Sequence, residues 1–337
     1  MNITDDAPLQ NKVPEFISIQ SASNKFLAVI KQTRSRNTHI SYTKGIGGFL
    51  EVISLSGINV LTTSSQEIKE ECLIEFLDRL NQFSPATEQL YSITAARFYN
   101  FLMAERLADI NLARVREIIK MRTRRTSQRL PQFPRTEIEQ IISHVLTIPL
   151  PTDDAEILRC YRDRAFLVVL ADTGLRVHEA CNLKRGDVDW NEGRAAIIGK
   201  GNKEAVIRFS TRSLELMRVY LKRRSKFDGA SGKPIGTLPI FARHDKGAGK
   251  KIKPITPTTG RNIVEEWVIQ ALGDDAKGRI TPHSFRHYFV TTVLRASGNL
   301  KLAQELARHT NISVTQRYAH LSNDELDQGY SEIFDKK

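Results

Sequence analysis

Apolar positions recur at helical spacing from Ser23 to about Ile119, through NKFLAVIKQT, THISYTKGIGGFLEVI, SQEIKEECLIEFLDRL and ATEQLYSITAARFYNFLMAE. Apolar residues repeating at i, i+3 and i+4 mark amphipathic helices, so this stretch predicts a bundle of four or five. Ser65 and Ser84 stand where the third and fourth helices would need N-caps. Residues 1–22 carry no such pattern and read as a flexible leader. The pattern stops at RTSQRLPQFPRTEIEQII, where Pro131 and Pro134 interrupt helix, and resumes at Thr136, which forms a capping-box pattern with Glu139. From 136 to 337 helical periodicity dominates, apart from a short strand set near 187–209, a further stretch at 238–242, and Phe227 to Lys253, which reads as a loop region. Within the strand set, IIGKGNKEAVIRF places apolar flanks around Gly-Lys-Gly-Asn, the pattern of a tight hairpin. The expected fold is therefore mainly α (α+β): a helical domain over 23–119, a basic linker over 120–135, and a second domain over 136–337 with a small β-sheet. Neither internal repeats nor low-complexity tracts interrupt it.

Composition narrows the class of partner. The 337 residues carry a formal net charge of +12, and the sequence pI of about 9.6 favours a polyanion through counterion release. Lys120, Arg122, Arg124, Arg125 and Arg129 concentrate that charge in a run without acidic residues, either a solvated linker or a segment that tracks DNA. Cys72, Cys160 and Cys181 are odd in number and lack CxxC spacing, which suggests free thiols rather than a disulfide framework or zinc site. No apolar run approaches the ~18 residues of a membrane span, and the start of the chain is not a signal peptide. A cytoplasmic, nucleoid-associated location is expected.

The candidate chemistry lies in a few separated segments. Residues 283–318 open with HSFRH, pass through Ala307-Arg308-His309 and reach Arg317-Tyr318-Ala319-His320. His283, Arg286, His309 and Tyr318 together have the makings of a phosphate clamp with a nucleophile: Arg and His donate to anionic oxygens, and a Tyr hydroxyl can attack phosphorus. Arg176 lies upstream in TGLRVHE, at an expected helix start, and Lys200 lies in the hairpin turn. Each residue alone reads as a surface cation, a solvated turn or a packed tyrosine. Their order and spacing together do not.

This ordered set closely resembles the tyrosine recombinase (integrase) family over most of residues 20–330, with Xer-like members nearest. The resemblance implies a site-specific DNA recombinase that cuts and rejoins strands through a 3′-phosphotyrosyl intermediate, with no metal, ATP or other cofactor. It assigns Tyr318 as nucleophile, Arg176 and Arg286 as holders of the non-bridging oxygens, and His309 as a further donor. Lys200 would protonate the leaving 5′-oxygen, His283 would assist proton transfer at the tyrosine, and Glu179 would orient the site. It also implies a SAM-like core-binding domain, with Lys44 and Arg97 as candidate backbone contacts, joined to a catalytic domain in a C-shaped clamp on double-stranded DNA. The assembly would be a homo-tetramer on two duplexes, or a tetramer shared with a related recombinase. The tail after Tyr318, with a capping-box pattern at Ser322 and Glu325 and a stripe of Leu326, Tyr330, Ile333 and Phe334, would either dock on a neighbouring protomer or fold onto its own domain. The biological role would be integration or excision of an element, resolution of multimers, or transposition.

The chain departs from the family pattern at three places. Ala307-Arg308-His309 stands where Leu-Gly-His is usual, His178 precedes Glu179 in place of a small residue, and Phe285 fills the apolar slot of HxLRH. Arg308 replaces a residue free to adopt positive φ, so an altered local backbone and a DNA contact by Arg308 are both expected. Lys203 is a rival to Lys200 in the same turn and is otherwise a candidate DNA contact. Two other readings use the same residues: a type IB topoisomerase-like enzyme that relaxes DNA, and a non-catalytic DNA-binding protein derived from a recombinase. A zinc site at His283 and His287 fails the HExxH pattern, because no carboxylate occupies its second position.

Overall fold

The computed structural model describes residues 16–124, 134–199, 204–245 and 252–308. The chain divides into two compact units, residues 1–129 and 130–337. The first contains α1 (Ile19–Thr33), α2 (Arg36–Leu55), α3 (Glu70–Leu80), α4 (Pro85–Ala104) and α5 (Leu112–Arg122). Side-chain oxygens close most of the helix starts: Ser18 accepts from the Ser21 amide at 3.2 Å, Ser35 from Thr38 at 3.2 Å, Ser84 from Thr87 at 3.3 Å and Asn111 from Arg114 at 3.1 Å.

Three boundaries differ from the expected ones. Helix α1 begins inside the expected leader, because Ser18 caps it and Ile19 and Ala22 are buried. Helix α5 continues past 119 to Arg122, into the expected linker. Ser65 does not cap α3. It opens a one-turn 3₁₀ segment and donates to the Leu107 carbonyl at 2.8 Å, satisfying an acceptor in the interior.

The first core is aromatic. Phe26, Phe49, Phe76, Phe98 and Tyr99 are buried, and the Phe49 ring meets Phe76 edge-on at 5.3 Å and Phe98 at 6.0 Å. Burying one such ring contributes about 1.5–3 kcal/mol.

The second unit contains α6 (Arg135–Thr147), α7 (Asp154–Thr173), α8 (Val177–Asn182), β1 (Val188–Asp189), β2 (Arg194–Ile198), β3 (Glu204–Arg208), α9 (Thr211–Gly229), α10 (Pro257–Leu272), α11 (Pro282–Ser297) and α12 (Leu300–Ala307). Helix α7 is its central post, buried at every residue from Ala165 to Ala171, which explains the unbroken run AFLVVLA. It packs against α6, α8, α9 and α11. The sheet is antiparallel in the order β1-β2-β3, with Ile198 opposite Glu204; Lys200 and Lys203 fall in sequence between the two strands.

Here too local signals were overridden. Thr136 is not the cap of α6, which starts at Arg135, and Glu139 instead pairs with Arg135 at 2.8 Å. The stretch 238–242 is no strand but makes isolated bridges, Lys184 to Pro239 and Ala242 to Pro254. Phe227 to Gly229 complete α9 rather than beginning a loop. The backbone at 239–240 is held by a buried guanidinium, Arg224, which donates to the carbonyls of Pro239 at 2.7 Å and Ile240 at 2.8 Å and pairs with Asp228 at 2.8 Å.

Candidate active site

Gly174 ends α7 in the left-handed conformation, φ 60 and ψ 23, donating its amide to the Leu170 carbonyl at 3.2 Å. It must be glycine for a second reason: a Cβ there would collide with the ring of Phe289 on α11. This close approach lets Arg286, one turn into α11, donate from Nη1 to the Gly174 carbonyl at 2.5 Å and from Nη2 to the Ala307 carbonyl. Arg286 is 2% exposed, so the far end of its side chain is fixed by the ends of α7 and α12 rather than by water.

Two residues after Gly174 the chain turns into α8, with Arg176 as its N-cap residue. Glu179 accepts the Arg176 amide at 2.9 Å and Arg176 Nη1 at 2.9 Å. The carboxylate is buried while the Arg176 side chain keeps a third of its surface open (1% and 33% exposed). Helix α8 is seated on α10 at Gly260, where a Cβ would lie 2.8 Å from Val177 Cγ2. Burial pushes the Glu179 carboxyl up, but Arg308 and Arg176 outweigh it and hold the group below its ordinary range. Glu179 is thus ionised and anchors Arg176.

Helix α11 begins with Pro282 at its first turn, and Thr281 donates its amide to Ser284 Oγ at 3.1 Å. This presents His283 at the mouth of a cleft of about 620 Å³ that Arg176, Arg286, Thr281, Arg261 and Asn262 also line. Burial, then Arg286 and Arg176, lower the His283 pKa, so its imidazole is neutral at neutral pH. His287 sits beside it, ring centroids 4.2 Å apart and edge-on, with a pKa lowered to about 4 by burial, His283 and Arg286. Phe285 points the other way into the core, so the aromatic ring serves in the apolar slot.

The structure therefore gathers Arg176, His283 and Arg286 around one cleft, with Glu179 behind Arg176. Lys200, His309 and Tyr318 lie outside the described residues, as do Lys203, Arg125, Arg129 and the tail 322–337. Arg261, exposed on α10, was missed, since nothing in TTGRNIVEEW distinguishes it from an ordinary surface arginine.

Arg308 is a correction. It does not point outward as a DNA contact: its side chain is 11% exposed, and Nη2 meets Glu179 at 3.1 Å. Nor does its backbone avoid the glycine geometry. It adopts φ 56 and ψ 45 itself, at a cost of about 1–2 kcal/mol.

The other candidate DNA contacts divide. Lys44 is exposed on α2, and Arg97 is exposed on α4 with its guanidinium 6.0 Å from the Tyr42 ring centroid. Lys120 lies 3.5 Å from Glu117, and Arg122 lies 2.7 Å from Asp78. Arg124 is a structural tie, its Nε on buried Glu88 at 2.5 Å and its Nη2 on the Phe83 carbonyl at 2.6 Å. Arg122 and Arg124 drew their acidic partners from distant α3 and α4, which a local charge count cannot see.

Among the described residues no helix is long and apolar enough to cross a membrane, and no His, Cys, Asp and Glu cluster suits a metal ion. Residues 133–325 match the model of the phage integrase family. The tyrosine recombinase XerC of Treponema denticola is 29% identical over 299 residues, 86% of this chain and 90% of that protein. The XerC of Pediococcus pentosaceus is 31% identical over 239 residues, 70% of this chain and 72% of that protein. The crystal structure of the XerH site-specific recombinase bound to its difH substrate, a pre-cleavage complex, superposes with a TM-score of 0.65 at 20% identity, covering 94% of this chain and 84% of that one. The chain therefore belongs to the phage integrase family and is a Xer-like tyrosine recombinase, an enzyme that cuts and rejoins DNA.

Proposed function

We propose that the chain is a site-specific recombinase in which Tyr318 attacks a DNA phosphodiester. The new bond joins Tyr318 Oη to phosphorus at the 3′ side, and the bond to the 5′-oxygen breaks. Lys200 supplies the proton to that leaving oxygen, and neutral His283 takes the proton from the tyrosine. In the second half a 5′-hydroxyl attacks the phosphotyrosine and the protons return. The energy of the phosphodiester is kept in the covalent link, so no nucleotide is hydrolysed.

The observation that carries this reading is the cleft itself. Arg176, His283 and Arg286, from segments about a hundred residues apart, face the same space. Charge builds on the non-bridging oxygens as phosphorus becomes pentacoordinate, and donors fixed in advance stabilise it without reorganisation. Arg286 is fixed in this way by two carbonyls and Arg176 by Glu179. Fixed guanidinium groups do here what bound cations do in metal-dependent phosphoryl transfer, and His309 adds a further donor.

The domain roles complete the reading. The first unit is the core-binding domain, with Lys44 and Arg97 toward the backbone, and the second is the catalytic domain. The two form a clamp on a duplex, and four protomers act on two duplexes. The test is a nicked suicide substrate, from which the short 5′ strand diffuses away and traps the intermediate. The natural chain should give a protease-sensitive DNA adduct that survives denaturation and forms in excess EDTA. Tyr318→Phe should bind the site as tightly and give none. An adduct with the Phe variant overturns the assignment of Tyr318.

A further inference from the structure

Arg308 is the least expected residue of the site. It stands at the end of α12, one residue before His309, in a left-handed conformation that glycine would adopt more readily. Its guanidinium turns inward, with Nη2 3.1 Å from Glu179 Oε2 and 3.5 Å from the Gly174 carbonyl. Nε and Nη1 are buried and find no partner among the described residues. Glu179 is thus bracketed: Arg176 takes Oε1 at 2.9 Å and Arg308 takes Oε2. The geometry therefore ties a left-handed residue at the end of α12 to the carboxylate behind Arg176.

We propose that Arg308 is a positioning residue for strand cleavage, clamping Glu179 against Arg176 and fixing the end of α12 onto the same carboxylate. The effect on the phosphate is indirect. Without Arg308, Glu179 would draw on Arg176 alone, and its negative charge would offset the cation meant for the DNA. With Arg308, that charge is shared, and Arg176 keeps more of its field for the cleft. The Gly174 carbonyl, which also accepts from Arg286 at 2.5 Å, joins both arginine arms to one point. This inference rests on the cleavage chemistry proposed above.

The charged groups around Glu179 are Arg176 on its own element and Arg308 from the end of α12. Arg261, Glu265, His283 and Arg286 line the cleft with Arg176, and His178, Lys184, Asp187 and Lys233 line a second cleft with Glu179. Glu179 has a depressed pKa, so its anchoring is present above the ordinary carboxylate range and is lost as pH falls through the depressed value. Removing Arg308 takes away one of the causes that hold the carboxyl down and moves that loss to higher pH.

The test is single-turnover adduct formation on the nicked substrate as a function of pH, with the natural chain, R308G and R308K. R308G, which suits the left-handed backbone, should fold with an unreduced Tm and bind DNA within about threefold of the natural chain. It should cleave about 10- to 100-fold more slowly, the range for misplaced reacting groups, with the acid limb of the rate profile shifted up. R308K, which returns a cation to Glu179, should bring the limb back and recover most of the rate. An R308G rate and limb equal to the natural chain's overturn the proposal, as does a rate loss matched by weaker DNA binding, which would make Arg308 a DNA contact. If R308G melts early, R308N, which also tolerates the left-handed backbone, takes its place with the same outcomes. Failure of the natural chain itself to form an adduct would instead refute the underlying chemistry.

Discussion

The two units bury different things. The first fills its interior with rings and aliphatic side chains, and its buried carboxylates, Glu70 and Glu88, serve to anchor the two ends of α5: Glu70 accepts the Asn111 amide at 2.7 Å and Glu88 takes Arg124. The second buries Arg162, Asp163, Glu179, Arg224, Asp228 and Arg286 inside an otherwise apolar core. Apolar contacts are non-directional, so they set how closely helices pack but only loosely how they are turned. A guanidinium donating to named carbonyls sets direction as well as distance. The second unit, which lines the candidate cleft, carries more of these buried directional bonds than the first.

The sharpest way to break this contrast is Arg224→Ala. It strips the Pro239 and Ile240 carbonyls of their donor and leaves Asp228 with a weaker partner set. Breaking a buried pair costs about 3–5 kcal/mol. Trp190 and Trp267, the two tryptophans of the chain, both lie in the second unit, so tryptophan fluorescence during urea unfolding reads that unit alone. A loss below about 1 kcal/mol, the size of an ordinary substitution, would show that the network is dispensable.

A smaller effect should appear with pH. His244 bonds the Tyr220 hydroxyl at 2.7 Å, and burial, Arg162 and Arg224 push its pKa from 6.5 down to about 3. A depressed folded value means that the neutral ring is stabilising. That contribution is present above 6.5 and is lost as pH falls from 6.5 to about 3. The slope is up to about 1.4 kcal/mol per pH unit. The second unit of His244→Gln should show a shallower acid slope than the natural chain by tryptophan fluorescence, although His287 also contributes below pH 6.5. Equal slopes would remove His244 from the account.

The smallest effect concerns the apolar unit. Ser84→Ala should cost about 1 kcal/mol, the usual worth of an N-cap, seen as faster hydrogen exchange at the start of α4. Adduct formation should be unchanged. A slowed cleavage rate would mean that the two units are coupled more tightly than their separate cores suggest.

How much the sequence disclosed follows the same division. Helical periodicity marked the bundle of the first unit, and the β2–β3 hairpin and the start of α8 at Arg176 were readable from local pattern. Signals involving partners far along the chain were not. Ser65 looked like a cap until Leu107, beyond the end of α4, claimed its hydroxyl, and Thr136 lost its role as Arg135 took Glu139. Arg124 read only as part of a basic run, while its partners Glu88 and the Phe83 carbonyl lie far back along the chain. Arg308 is the clearest case, since its meaning depends on Glu179, which lies 129 residues earlier. In each case the residue type was legible while its partner was not.

The central claim is that Tyr318 carries the broken strand. The most direct test is to trap the adduct on nicked DNA, digest it with nuclease and trypsin, and fragment the nucleotide-bearing peptide by mass spectrometry. Cleavage after Arg317 releases a peptide that begins at Tyr318 and also contains Tyr330, so the two tyrosines are compared within one spectrum. A phosphonucleotide on Tyr318, with Tyr330 unmodified, is the predicted result. A phosphonucleotide on Tyr330, or on any residue outside this peptide, would contradict the account.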